Sequence, residues 1–142
     1  MRESGRGQGR GQVRGRTAWL ACALLPALCA AACEKPAAAQ ARETAVALVG
    51  GNPERGRRLI GELGCKTCHT IPGIPGANSL VGPPLTGIAS RVYIAGVLTN
   101  QPANMVRWLV NPPGVDSLTA MPNMGLSAAQ ATDIATYLYT LR

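Results

Sequence analysis

The chain's single histidine, His69, stands directly after Cys68, and Cys65 lies three positions before that, in the stretch GCKTCHTIPG. Thiols and an imidazole at this spacing can do three kinds of chemistry: open a zinc site, form a redox-active dithiol, or attach a haem and ligate its iron. Zinc needs a fourth ligand. Beyond residue 33 there is no third cysteine and no second histidine, so only a carboxylate could complete that set. A thioredoxin-like pair belongs in a βαβ setting, and none is visible here. The haem reading uses every residue of the motif. Two thiols reach the two vinyl groups along one edge of a porphyrin, and the short turn swings His69 beneath the ring as proximal ligand. One covalent haem c is the cofactor expected.

The opposite face of the iron decides what such a haem does. An open position binds gases or peroxide, whereas a second protein ligand leaves electron transfer. The stretch TAMPNMGLS offers Met121 and Met124 in a loop after the motif. A thioether is a soft, neutral ligand that favours ferrous iron. Met121 is the expected ligand, because Pro122 restricts the backbone there and keeps the loop extended. Met124 is the alternative. Met105 falls beside Trp108 on an apolar helix face, where a methionine usually fills space.

Three main helices must hold these residues. In NPERGRRLIGEL, Asn52 is an N-cap and Pro53 the first helical residue, with Gly56, Leu59, Ile60 and Leu63 on one face. NQPANMVRWLVNPP puts Met105, Trp108 and Leu109 on one face and should end at Pro112–Pro113. LSAAQATDIATYLYTLR opens on Ser127 and Gln130, a capping-box pair, and carries Ala131, Ile134, Leu138 and Leu141 as its apolar stripe. No segment alternates over strand length, so the fold class is all-α. Its long Gly/Pro loops, such as TIPGIPGANSLVGPPLTGIAS, are expected to pack on a large flat cofactor. The chain has no Phe, two Trp and three Tyr, too few aromatics for a thick core of its own.

The first 32 residues read as an export segment: an Arg/Gly-rich head with a net charge of +4, then TAWLACALLPALCAAAC, apolar but Pro-interrupted. The head is long for a leader, which leaves the true start codon open. Its end has two readings. AAAC resembles a lipoprotein processing site that would leave a lipid on Cys33, although Ala30 stands where such sites prefer Leu. Ordinary cleavage after Ala32 or within AAAQA is the other. Residues 33–51 are expected to be a flexible tether and 52–142 the folded domain. Of the overall +7, only +3 falls on residues 33–142, from nine basic and six acidic side chains. No basic stripe with aromatics appears, so nucleic acid is not an expected partner.

From Asn52 to Arg142 the sequence resembles the class I c-type cytochromes, the mitochondrial cytochrome c type. Cys65, Cys68 and His69 match that family's attachment site. VGPPLTG resembles the loop whose proline carbonyl accepts a hydrogen bond from the proximal histidine, which implies that role for Pro83. GIASR resembles the segment whose arginine approaches a haem propionate, which implies Arg91, with Tyr93 adding a hydroxyl to the same acid. MVRWLVNPP matches the helix before the methionine loop and sets Trp108 beside the ring. Gly56 and Tyr137 resemble the contact between first and last helices. The lysine-rich surface of the mitochondrial protein is missing. The resemblance implies an electron carrier and not an enzyme, with redox partners such as a quinol–cytochrome c oxidoreductase and a terminal oxidase. The expected location is the periplasmic side of a bacterial cytoplasmic membrane, lipid-anchored or soluble. The expected state is a monomer, unless the chain is the electron-entry subunit of a larger dehydrogenase or oxidase. An open-site haem enzyme or sensor is the remaining reading.

Overall fold

The computed structural model describes residues 36–142, which belong to one unit spanning 34–142. The export segment and Cys33 lie outside the described residues. Helices dominate: α1 (Pro36–Val49), α2 (Pro53–Glu62), α3 (Pro102–Val110), α4 (Pro112–Val115) and α5 (Ala128–Leu138). Single 3-10 turns occupy Cys65–Thr67 and Ile88–Ser90. One small hairpin pairs β1 (Tyr93–Ile94) with β2 (Leu98–Thr99), Tyr93 opposite Thr99 and Ile94 opposite Leu98.

The expected helix starts are made as local chemistry dictates. The Asn52 side chain accepts from the Arg55 amide at 2.9 Å, and Pro53 occupies a position whose N–H would have no partner. At α5 the Ser127 hydroxyl accepts from the Gln130 amide while the Gln130 side chain accepts from the Ser127 amide, a reciprocal pair that satisfies two end donors. Helix α2 ends at Gly64, whose φ of +80° only glycine adopts without strain.

Helices α2 and α5 cross at the centre. Gly56 permits the approach: a methyl group there would sit 2.0 Å from the Asp133 carbonyl oxygen. Asp133 is buried, accepts from the Asn52 amide at 2.8 Å, and forms an ion pair with Arg55. Ile60 from α2, Ile134 and Leu138 from α5, and Met105 and Trp108 from α3 belong to one buried core.

One expectation is corrected. Residues 33–51 were expected to be a flexible tether, but Pro36–Val49 is helical and docked, with Ala45 only 1 % exposed. Its Ala-rich sequence supports a helix because alanine has the highest helix propensity, and small side chains let it lie close to its neighbours. An Arg42–Glu54 ion pair at 3.2 Å ties it to α2. Gly50, with φ +85°, then turns the chain, and the Gly51 amide donates to the Thr136 hydroxyl. Helix α3 ends just before Pro112–Pro113 as expected, and Asn111 then caps a further short helix, accepting from the Gly114 amide at 3.2 Å. The hairpin was also not foreseen, because two-residue strands are too short to show alternation.

Candidate functional site

Cys65 opens the 3-10 turn that follows α2, and the His69 amide donates to the Cys65 carbonyl at 3.0 Å. This closed turn carries both cysteines and the histidine on one short stretch of backbone. Both cysteines are free and partly buried. Burial pushes the Cys65 thiol up, the opposite of the activated thiolate that a dithiol oxidoreductase needs. Among the described residues no three His, Cys, Asp or Glu side chains group as a metal site, which removes support from the zinc reading.

The segment after the motif folds back against it. The Gly82 amide donates to the Cys68 carbonyl at 2.7 Å and the Leu85 amide to the Thr70 carbonyl at 2.8 Å. These two bonds bring the Pro83 carbonyl to 2.7 Å from His69 Nδ1. Nδ1 therefore carries the ring proton and donates it, which leaves Nε2 as the lone-pair nitrogen. Gly82 lies against the ring itself: a methyl group there would stand 2.6 Å from Cε1. Sequence reasoning quoted VGPPLTG but passed over Gly82. Its place directly before two prolines signals extended backbone but not the contact with the ring.

The remaining site residues are placed as follows. Arg91 donates from Nη2 to the Pro84 and Thr86 carbonyls, so it touches the same loop that meets His69. Tyr93 is 56 % exposed on β1. Trp108 is buried on α3. Met105 is 2 % exposed and belongs to the core, whereas Met121 and Met124 are partly buried against its edge. The Met121 amide is fixed by the Thr119 hydroxyl at 3.2 Å. Cys65, Cys68, His69, Pro83 and Arg91 are thus joined through direct bonds and one turn. Met121, Trp108 and Tyr93 stand on other elements than this group. The Tyr137 hydroxyl donates to the Pro72 carbonyl at 2.7 Å, holding the chain just past His69; Gly56 instead meets the backbone of Asp133.

These residues fit a haem. Two free thiols lie on one turn, one imidazole nitrogen is left over, and a proton on the other is fixed. Apolar side chains also stand uncovered beside the motif: Leu80 and Val81 are 79 % and 81 % exposed in the strip bonded to Cys68 and Thr70. A large apolar ring is the kind of group that such surface accepts.

Residues 53–142 match the family model described as cytochrome c. The chain belongs to the cytochrome c family, as a class I c-type cytochrome with the fold of that class. Membership carries haem-based electron transfer and a covalently bound haem c. Over 68 residues the chain is 31 % identical to a cytochrome c oxidase subunit 2 of Alkalihalophilus pseudofirmus. That stretch is 48 % of this chain but 19 % of the relative, so the similarity spans about a fifth of the relative's own length.

Proposed function

We propose that the protein is an exported one-electron carrier with a single haem c, working in a respiratory chain on the periplasmic side of a bacterial membrane. Cys65 and Cys68 hold the group, His69 Nε2 and the Met121 thioether ligate it, and Trp108 packs beside it. When bound, the haem supplies an iron centre that accepts and releases one electron. The protein's part is to keep both ligands in place, exclude water and set the ligand field. The observation that carries this reading is the His69–Pro83 bond of 2.7 Å, directly after two free thiols. It fixes the tautomer and the direction of Nε2, as partners of ligating histidines do.

Arg91 uses one nitrogen, Nη2, for its two carbonyls, so the rest of its fork suits a propionate. Donors such as a quinol–cytochrome c oxidoreductase and acceptors such as a terminal oxidase fit a carrier of this kind. Similarity to a named oxidase subunit favours a second reading, in which the chain is the electron-entry subunit of an oxidase. No described helix is long and apolar enough to cross a membrane. Attachment through a lipid on Cys33 is the form of tethering proposed.

Intact-mass measurement tests the core of the proposal. Protein made with a haem-attachment system should exceed its polypeptide mass by one haem, and Cys65→Ser with Cys68→Ser should abolish the increment. A wild-type protein at polypeptide mass contradicts the reading. Co-purification from native membranes separates the second reading: a free carrier elutes alone, a subunit elutes with oxidase.

A further inference from the structure

Pro83 and Pro84 themselves have no backbone N–H, so between the Gly82 and Leu85 amides, which bond to the Cys68 and Thr70 carbonyls, this stretch can be held only through its carbonyls. Pro83 accepts from His69, while Pro84 and Thr86 both accept from Arg91. Arg91 is itself held from outside the loop. Asn100 Nδ2 donates to the Arg91 carbonyl at 2.8 Å and to the Ile88 carbonyl at 2.7 Å, bracketing the 3-10 turn that presents Arg91. The Asn100 amide donates to the Val92 carbonyl at 2.9 Å. Carbonyls only accept, so Nδ2 must face them and Oδ1 is left over. The hydroxyl of Tyr139, 5 % exposed at the end of α5, donates to that oxygen at 2.8 Å. The side-chain amide of Asn100 therefore has both N–H groups and its oxygen engaged, tying the Arg91 turn to the end of α5.

We infer that Asn100 and Tyr139 are positioning residues that hold the Pro83 carbonyl on His69 through Arg91 and so set the basicity of the proximal ligand. The inference rests on the haem reading above. A firm Nδ1–H···O=C bond makes imidazole a stronger donor, which favours ferric iron. Loosening that bond should therefore raise the reduction potential. This sign is useful, because admitting water to the ring would move the potential the other way.

The test uses the full holoprotein with two uncharged substitutions, Tyr139→Phe and Asn100→Leu. Thr140→Val is the control: the Thr140 hydroxyl bonds the Tyr137 carbonyl at 2.6 Å at the same helix end and makes no bond to Asn100. Three quantities are measured: the midpoint potential, the solvent exchange of the His69 Nδ1 proton in the ferrous state, and the thermal midpoint. Both test variants should raise the potential and speed exchange of that proton. The control should lower the thermal midpoint alone. An unchanged or lowered potential in Tyr139→Phe overturns the inference, as does a control that moves the potential equally. If Asn100→Leu does not fold, Tyr139→Phe decides, since it keeps the buried ring. A wild-type protein without covalent haem sinks the inference and the haem reading together. An intact wild-type protein whose variants leave the potential unmoved sinks the inference alone.

Discussion

At the scale of single residues, the site is built from side chains that each have one task. Cys65 and Cys68 are free on one turn, and His69 has one nitrogen committed and one left. Met121 and Met124 are not separated by burial, since both lie at the core's edge. Substitution separates them. Met121→Ala should lose the red charge-transfer band of methionine-ligated ferric haem, begin to bind carbon monoxide and drop in potential. Met124→Ala should do none of these; if it alone loses the band, the assignment reverses. Gly82 gives a second test. An added methyl would stand 2.6 Å from the His69 ring, so Gly82→Ala must displace either the loop or the imidazole. The expected outcome is holoprotein of lowered yield with an altered histidine N–H resonance. Normal yield with an unchanged resonance would show that the contact relaxes freely.

At the scale of elements, the crossing of α2 and α5 carries the domain. Burial alone would raise the Asp133 carboxyl, but the Arg55 guanidinium and the Asn52 amide together hold it below the usual carboxylate range. The sign follows from that direction. A depressed folded value means that the contribution is complete above the unfolded value of about 3.9 and is lost as pH falls through the folded one. Thermal midpoints should therefore fall as the solution is acidified below about pH 4, and Asp133→Asn should flatten that fall while costing about 2 kcal/mol at neutral pH. Denaturant titration at several pH values measures both. Helix α1 gives a different prediction. Ala45→Arg places a long cation at a position 1 % exposed, so α1 should undock and trypsin should cut at Arg42 first. The haem spectrum should not change, because α1 lies outside the 53–142 span of the family. Unchanged cleavage would mean that the docking is robust to the substitution.

At the scale of the whole molecule, what was legible in the sequence was what local rules decide. The caps at Asn52 and Ser127, the apolar faces of α2, α3 and α5, and the close spacing of Cys65, Cys68 and His69 all follow from neighbours within a few positions. What was not legible depends on distant partners. Helix α1 looked like a tether because its alanines form no strong apolar stripe, and only α5 and α2 reveal which side is covered. Asp133 carried no sequence signal of its burial, since its partners Arg55 and Asn52 lie 78 and 81 positions away. Asn100 carried no sequence signal, since its three side-chain bonds join segments 9 to 39 residues apart. Gly82 was visible as a residue and not as a contact. The ligand on the far side of the iron belongs to the same class of question, because the Met121 loop and the Cys65–His69 turn are joined by no local rule.

The visible spectrum of purified holoprotein, read before and after carbon monoxide and followed by acidified-solvent extraction, tests the central claim most directly. The account expects a low-spin spectrum unaltered by carbon monoxide in the ferrous state, with the haem remaining on the polypeptide after extraction. A ferrous spectrum that shifts on adding carbon monoxide would show an open iron and contradict the carrier, and haem that passes into the solvent would contradict its attachment through Cys65 and Cys68.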